Sequence, residues 1–162
     1  MTLADRLAAG SAAIAGIGLV FTGAQLWLLN RQARYERRIS YDGVVVTWHP
    51  IEAPHRPWTD GNARWTYEIT VNNPGRLPID HIDVRWVFPC PVRRLHSSGI
   101  LDEPSPKLTL VTPVLAGGGA RSWTRQVQMP FDNRHLLAET YAEVTYVDID
   151  GKPHRNRWPR IA

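Results

Sequence analysis

"WTYEITVNNPGRLPIDHIDVRW", Trp65 to Trp86, passes from one alternating run to another across a short link, and its period decides the fold class. In the first run Trp65, Tyr67, Ile69 and Val71 share one face, with Thr66, Glu68 and Thr70 between them. Successive side chains of an extended chain point to opposite sides, so apolar residues at every second position make a strand with one buried face. In the second run Ile82, Val84 and Trp86, continued by Phe88, alternate with His81, Asp83 and Arg85. The link carries Asn73-Pro74-Gly75, where proline presets φ and glycine tolerates positive φ. The expected arrangement is strand, tight turn, and a strand pairing back antiparallel.

The same period recurs on both sides. Val44, Val46 and Trp48 precede it; Leu108 and Leu110, then Trp123, Val127 and Met129, then Val144 and Tyr146 follow it. Asp150-Gly151 turns the chain into a last strand ending near Trp158, and "NRHLLAE", Asn133 to Glu139, offers one helical turn. About seven short strands with turn signals between them, and no long amphipathic helix, predict an all-β domain over residues 41–162. The expected fold is an antiparallel immunoglobulin-like β-sandwich.

Upstream the pattern is different. From Leu7 to Leu29 no side chain is charged, a run of about 23 residues that exceeds the ~30 Å hydrocarbon core of a bilayer at about 1.5 Å per residue. A cleaved leader would use small residues such as Thr22-Gly23-Ala24, but the run continues through Leu26, Trp27, Leu28 and Leu29. Residues 1–30 are therefore expected to form one N-terminal transmembrane helix, with residues 31–40 as a basic juxtamembrane segment. Ala8, Ala12 and Gly16 repeat every fourth position and give a helix-packing face of small residues. Trp27 suits the headgroup level, and Arg31, Arg34, Arg37 and Arg38 follow it at the membrane surface. Arginines are retained on the cytoplasmic side, so the N-terminus is expected outside and the C-terminal domain cytosolic, at the inner (plasma) membrane.

Charge and cysteine content narrow the function. The formal charge of +4 and the isoelectric point near 9.6 arise mostly from those four arginines, leaving the β part close to balance. A nucleic-acid-binding fold would spread Lys and Arg over a face, so nucleic acid is not an expected partner. The single cysteine, Cys90, excludes an intramolecular disulfide framework.

"WTYEITVNNPGRLPIDHIDVRW" and "YAEVTYVDIDGKPHRNRW" together resemble strands and the final hairpin of a type met in uncharacterised bacterial single-pass membrane proteins. These carry an N-terminal span, a basic stretch and an immunoglobulin-like β-sandwich domain. The resemblance implies architecture only, with no activity and no site residue.

No catalytic or cofactor signature emerges. Gly117-Gly118-Gly119 leads into "ARSWTRQVQM", which reads as a strand, so a hairpin loop is expected there rather than a phosphate cradle. The six histidines lack metal-ligand spacing, and Cys90 between Pro89 and Pro91 reads as a packed strand end. Ser97-Ser98-Gly99 lacks the nucleophile elbow, and Asp148 and Asp150 flank a turn. No enzyme activity, cofactor, metal or small-molecule substrate is expected.

Recognition remains. "HPIEAPHRPWTDGN", His49 to Asn62, is long for a sandwich loop and carries Trp58, and "SSGILDEPSPK" carries Ile100 and Leu101. These three are the candidate binding-loop residues. The expected function is a membrane-anchored protein-binding or scaffold module, an accessory subunit joined to a larger membrane assembly through the span or the loops. The alternatives are an exported envelope structural module and a membrane-tethered defence-type effector.

Overall fold

The computed structural model describes residues 22–35, 41 and 43–159. The chain divides into two units, Met1–Ile39 and Ser40–Ala162. In the first, residues 22–35 are α-helical. Among the described residues no helix is long and apolar enough to cross a membrane. Most of the Leu7–Leu29 run, with Ala8, Ala12 and Gly16, and also Arg37 and Arg38, lie outside the described residues.

Among the described residues the second unit is mostly antiparallel β, seven strands in one curled sheet. They are β1 (Val45–Glu52), β2 (Asn62–Asn72), β3 (Ile79–Leu95), β4 (Ser105–Leu115), β5 (Ala120–Pro130), β6 (Tyr141–Val147) and β7 (Pro153–Trp158). A 3-10 helix, Phe131–Glu139, joins β5 to β6. The pairing order is β1-β2-β5-β3-β6-β7, with β4 on β3 as a branch.

Every alternating run read from the sequence is a strand, and its apolar face is the core. Trp65, Tyr67, Ile69 and Val71 are buried on β2, as are Ile82, Val84, Trp86 and Phe88 on β3. At about 1.5–3 kcal/mol for each large apolar side chain removed from water, this face dominates the stability of the unit. An aromatic group sits at its centre: Tyr67 meets Trp86 edge-on at 5.0 Å, and Trp86 packs on Phe88 at 4.4 Å.

The link at Asn73-Pro74-Gly75 does not make a hairpin. β2 pairs with β1 and β5, and β3 pairs with β4, β6 and β5, so β5 lies between the two strands that the turn joins. The reason is Asn73, 1% exposed, whose side chain ties the link to a different loop. Its Nδ2 donates to Leu77 O at 2.8 Å, Ala116 O at 3.1 Å and Leu115 O at 3.5 Å, while its Oδ1 accepts from Gly75 N. A buried amide satisfied by three carbonyls outweighs the local hairpin tendency of a Pro-Gly turn.

Gly117-Gly118-Gly119 is likewise a crossing and not a hairpin, because β4 pairs with β3 and β5 with β2 and β3. The arch packs against the first link: Gly118 N donates to Gly75 O, and Asn73 N donates to Gly119 O. A side chain at Gly117 would collide with the backbone carbonyl of Arg76, and Gly118 has φ of +69°. Only glycine meets the first demand, and it meets the second without strain.

Cys90 is not at a strand end. It is buried inside β3, which runs unbroken for 17 residues. β3 pairs with β6 as far as Val87 and with β4 as far as Val87 and again at Val92, opposite Ser105, and its last residues, Arg93 to Leu95, pair with β5. Pro89 and Pro91 fall in the stretch between these ladders, where a missing N–H costs no sheet hydrogen bond. The Pro-Cys-Pro segment falls within the irregularity that interrupts the β3–β4 register between Val87 and Val92.

The curl brings β7 back to the start of β1. Trp158 Nε1 donates to Val44 O at 2.9 Å, and Asn156 Nδ2 donates to Val44 O at 3.1 Å and Tyr41 O at 3.2 Å. Tyr146 OH also donates to Tyr41 O, and His154 stacks between Tyr41 and Tyr146.

Candidate functional site

The candidate loop residues are placed apart. Trp58 lies in a tight turn closed by Trp58 N to Asn62 O and Gly61 N to Trp58 O, with Asp60 held by Asn62. Its ring is 45% exposed, with the Arg64 guanidinium 5.8 Å from the ring centroid. The residue that folds onto Trp65 from this end of the strands is Phe131, stacked at 6.3 Å. Ile100 is 65% exposed, whereas Leu101 is half-buried and bridges to Leu95. The pairing register separates the two loops: Asn62 stands opposite Pro130, but Leu95 stands opposite Gln126, farther along β5 and on its other side.

On the N-terminal helix, Trp27, Arg31 and Arg34 are all exposed, and the Arg31 guanidinium lies 5.4 Å from the Trp27 ring centroid. The two are four residues apart, one helical turn, which brings them together on a single face.

A better-formed site lies beside β1. This strand pairs with β2 on one edge, and no described strand occupies the other. Along that open edge runs a groove of about 570 Å³, lined by Val45 and Trp48 of β1, Leu137 of the 3-10 helix and Thr140 just after it, and Trp158 and Pro159 at the end of β7. Trp48 and Trp158 are each half-buried, one face on the core and one in the groove. Thr140 Oγ1 is buried and has no hydrogen-bond partner among the described residues. The groove thus sets two half-buried indole rings beside a strand edge that no described strand covers, which is the chemistry for holding an extended peptide.

Sequence reasoning assigned Trp48 to the core face and placed Leu137 in a helical turn, and it did not bring them together with Trp158. No spacing signal could have done so, because residues over a hundred positions apart meet only through the curl. One hint was available: Trp48 and Trp158 each close an alternating run with a proline one or two positions further on.

The remaining perturbed groups serve the fold. Burial pushes the Cys90 thiol up, away from a reactive thiolate, and its nearest polar neighbour is Met129 Sδ at 3.8 Å. Burial also pushes Tyr67 up. Asp148 is desolvated, which alone would raise its carboxyl, yet hydrogen bonds from His154, Lys152 N and Asp150 N hold it below the usual carboxylate value. Those bonds make Asp148 the organiser of the β6–β7 turn. No group of three or more metal-ligating side chains gathers among the described residues.

The chain matches no protein-family model and no curated protein sequence. Similar solved structures include a putative ApaA protein from Bordetella pertussis, at 16% identity over 70% of this chain and 86% of that one, with a TM-score of 0.43. A FixG-related protein from Vibrio parahaemolyticus is 10% identical over 72% of this chain and 93% of that one, at a TM-score of 0.35. A GH20 exo β-N-acetylglucosaminidase from Vibrio harveyi is 13% identical over 70% of this chain but only 17% of its own length, at a TM-score of 0.42. At such scores none of them informs the fold or the site.

Proposed function

We propose that this chain is a membrane-anchored, non-catalytic binding module, single-pass, with its N-terminus outside and its β domain in the cytosol. The domain is read as an immunoglobulin-like β-sandwich, and its task as holding another protein within a larger membrane assembly. The anchoring half of the reading is supported by the uncharged Leu7–Leu29 run and the arginines that follow it. Support for the sandwich comes from β3, whose longer first part pairs with β4 and β6 and whose last residues, Arg93 to Leu95, pair with β5.

The observation that carries the binding half is the groove at the open β1 edge, where Trp48 and Trp158 flank backbone that no strand covers. Its occupant is an extended, largely apolar segment of a partner protein, added beside β1 so that main-chain bonds give affinity and the indoles give selectivity. The test is extraction of the full chain in mild detergent, comparing wild type with Trp48→Ala and Leu137→Ser. Wild type is expected to retain a stoichiometric partner that both variants lose while their melting curves stay cooperative. A clean monomer from wild type, or equal retention by all three, rejects the reading.

A further inference from the structure

A second feature lies on the inner face of the sheet, at the far end of β3. Past the Pro-Cys-Pro segment, Arg93, Arg94 and Leu95 pair with Gln128, Val127 and Gln126 of β5. Val92 is buried and Arg93 exposed, so the alternation turns Arg94 inward, next to the buried Val127. On β5 the inward positions are Trp123, Arg125, Val127 and Met129, and Arg125 stands opposite the buried Tyr67 of β2. Arg94 and Arg125 are therefore diagonal neighbours on one face, within reach of each other's long side chains.

Both are half-buried, and both Nε atoms are shielded from solvent with no hydrogen-bond acceptor among the described residues. Arg125 spends one Nη donor on the neighbouring carbonyl, Thr124 O at 2.8 Å. Neither arginine belongs to any of the described ion pairs, although Arg155 finds Glu143 at 2.6 Å and Arg85 lies near Asp83. Burial, and then the charge of Arg94, push the Arg125 guanidinium down from its ordinary value. Two like charges drawn partly out of water without a counter-charge are unfavourable to keep unless something anionic meets them.

We infer that Arg94 and Arg125 form a subsite for a phosphoryl group. The donor set selects among anions. A guanidinium offers a planar fork that takes two oxygens side by side, and two forks ask for more oxygens than one carboxylate presents. A phosphate or phosphomonoester has three or more oxygens in a tetrahedral array and fills both forks. The site is chemically distinct from the apolar groove at β1 and does not depend on it.

The test uses the full chain in detergent and reads the arginine Nε–Hε cross-peaks by NMR, assigned through Arg94→Lys and Arg125→Lys. Inorganic phosphate is titrated against chloride at matched ionic strength, and micelles carrying phosphatidic acid form a second arm. Saturable shifts of both cross-peaks with inorganic phosphate, with the control Arg93→Lys behaving as wild type, support a free phosphoryl ligand. Saturable shifts with phosphatidic acid alone support the same subsite filled by a lipid headgroup. Phosphate affinity is expected to fall at least tenfold in each of the two lysine variants. Equal responses to phosphate and chloride, or saturation that survives in both variants, overturn the inference, and because the wild-type titration stands alone, a variant that fails to fold does not rescue it.

Discussion

β1 and β4 are both strands with one edge left open, yet they present opposite surfaces. β4 carries Pro106 and Pro113 and exposes Lys107 and Thr109, the devices by which natural sheets discourage another strand from adding. Its Val111 and Val114 are exposed. β1 carries Pro50 and Glu52 in its second half, but its first half, Val45-Val46-Thr47-Trp48, has neither charge nor proline and lies next to a groove walled by Trp48 and Trp158. An edge that is guarded reads as a structural boundary, and one that is unguarded and furnished with aromatics reads as a place for a partner. The two are also fastened differently: the end of β4 by the buried amide of Asn73, the start of β1 by Asn156 and Trp158 reaching across from β7.

The sharpest way to break this comparison is at the fastenings. Asn73→Ala strands several carbonyls in the core and is expected to cost about 3 kcal/mol in urea unfolding, against less than about 0.5 kcal/mol for Asn72→Ala, whose side chain is exposed. Equal losses for the twin asparagines would mean that the Asn73 network does not hold the crossing. Next in size is partner binding. Trp48→Ala should weaken it about thirtyfold, close to 2 kcal/mol, whereas Val111→Ala and Val114→Ala on β4 should leave it within about twofold, as titration of the purified complex will read.

Asn156→Ala removes donors to Tyr41 O and Val44 O and is expected to cost about 1–2 kcal/mol while leaving the β4 side undisturbed. Hydrogen exchange should then rise at Val44 to Val46 and stay unchanged at Leu108 to Leu110. Acid provides a finer probe of the same closure. Because the folded-state carboxyl of Asp148 titrates below its ordinary value, its contribution is complete at neutral pH and fades as pH falls below about 4. Asp148→Asn should flatten that part of the stability curve, and an unchanged acid slope in this variant would remove Asp148 from the account. The smallest effect belongs to the exposed Arg155–Glu143 pair, worth about 0.5 kcal/mol at low salt and less at high salt.

What was legible in the sequence was local. Period two located the strands, because the side chain of every second residue must face the core whatever strand lies alongside. Which strand lies alongside was not legible. Pro74-Gly75 and Gly117-Gly118-Gly119 have the composition of hairpin turns, and only the buried Asn73, satisfied by carbonyls more than 40 positions away, makes both into crossings. Cys90 illustrates the same limit, since two flanking prolines signal an ended strand unless the ladder is absent there on both sides. For the candidate site, Trp58 and Ile100 could be singled out because an apolar residue in a loop is conspicuous in sequence, whereas the groove joins Trp48, Leu137 and Trp158 through the curl alone. The Arg94–Arg125 pair was hidden because an arginine on an alternating strand reads as the outward residue, and only the register assigns it to the inner face.

The most direct test places a photo-cross-linking residue at Thr47 on the β1 edge and, in a second chain, at Thr109 on the β4 edge, both exposed. Irradiation in cells should give one discrete adduct from Thr47, abolished by Leu137→Ser, and none from Thr109. Adducts from Thr109 with none from Thr47, or equal yields from both, would contradict the assignment of the partner to the open edge of β1.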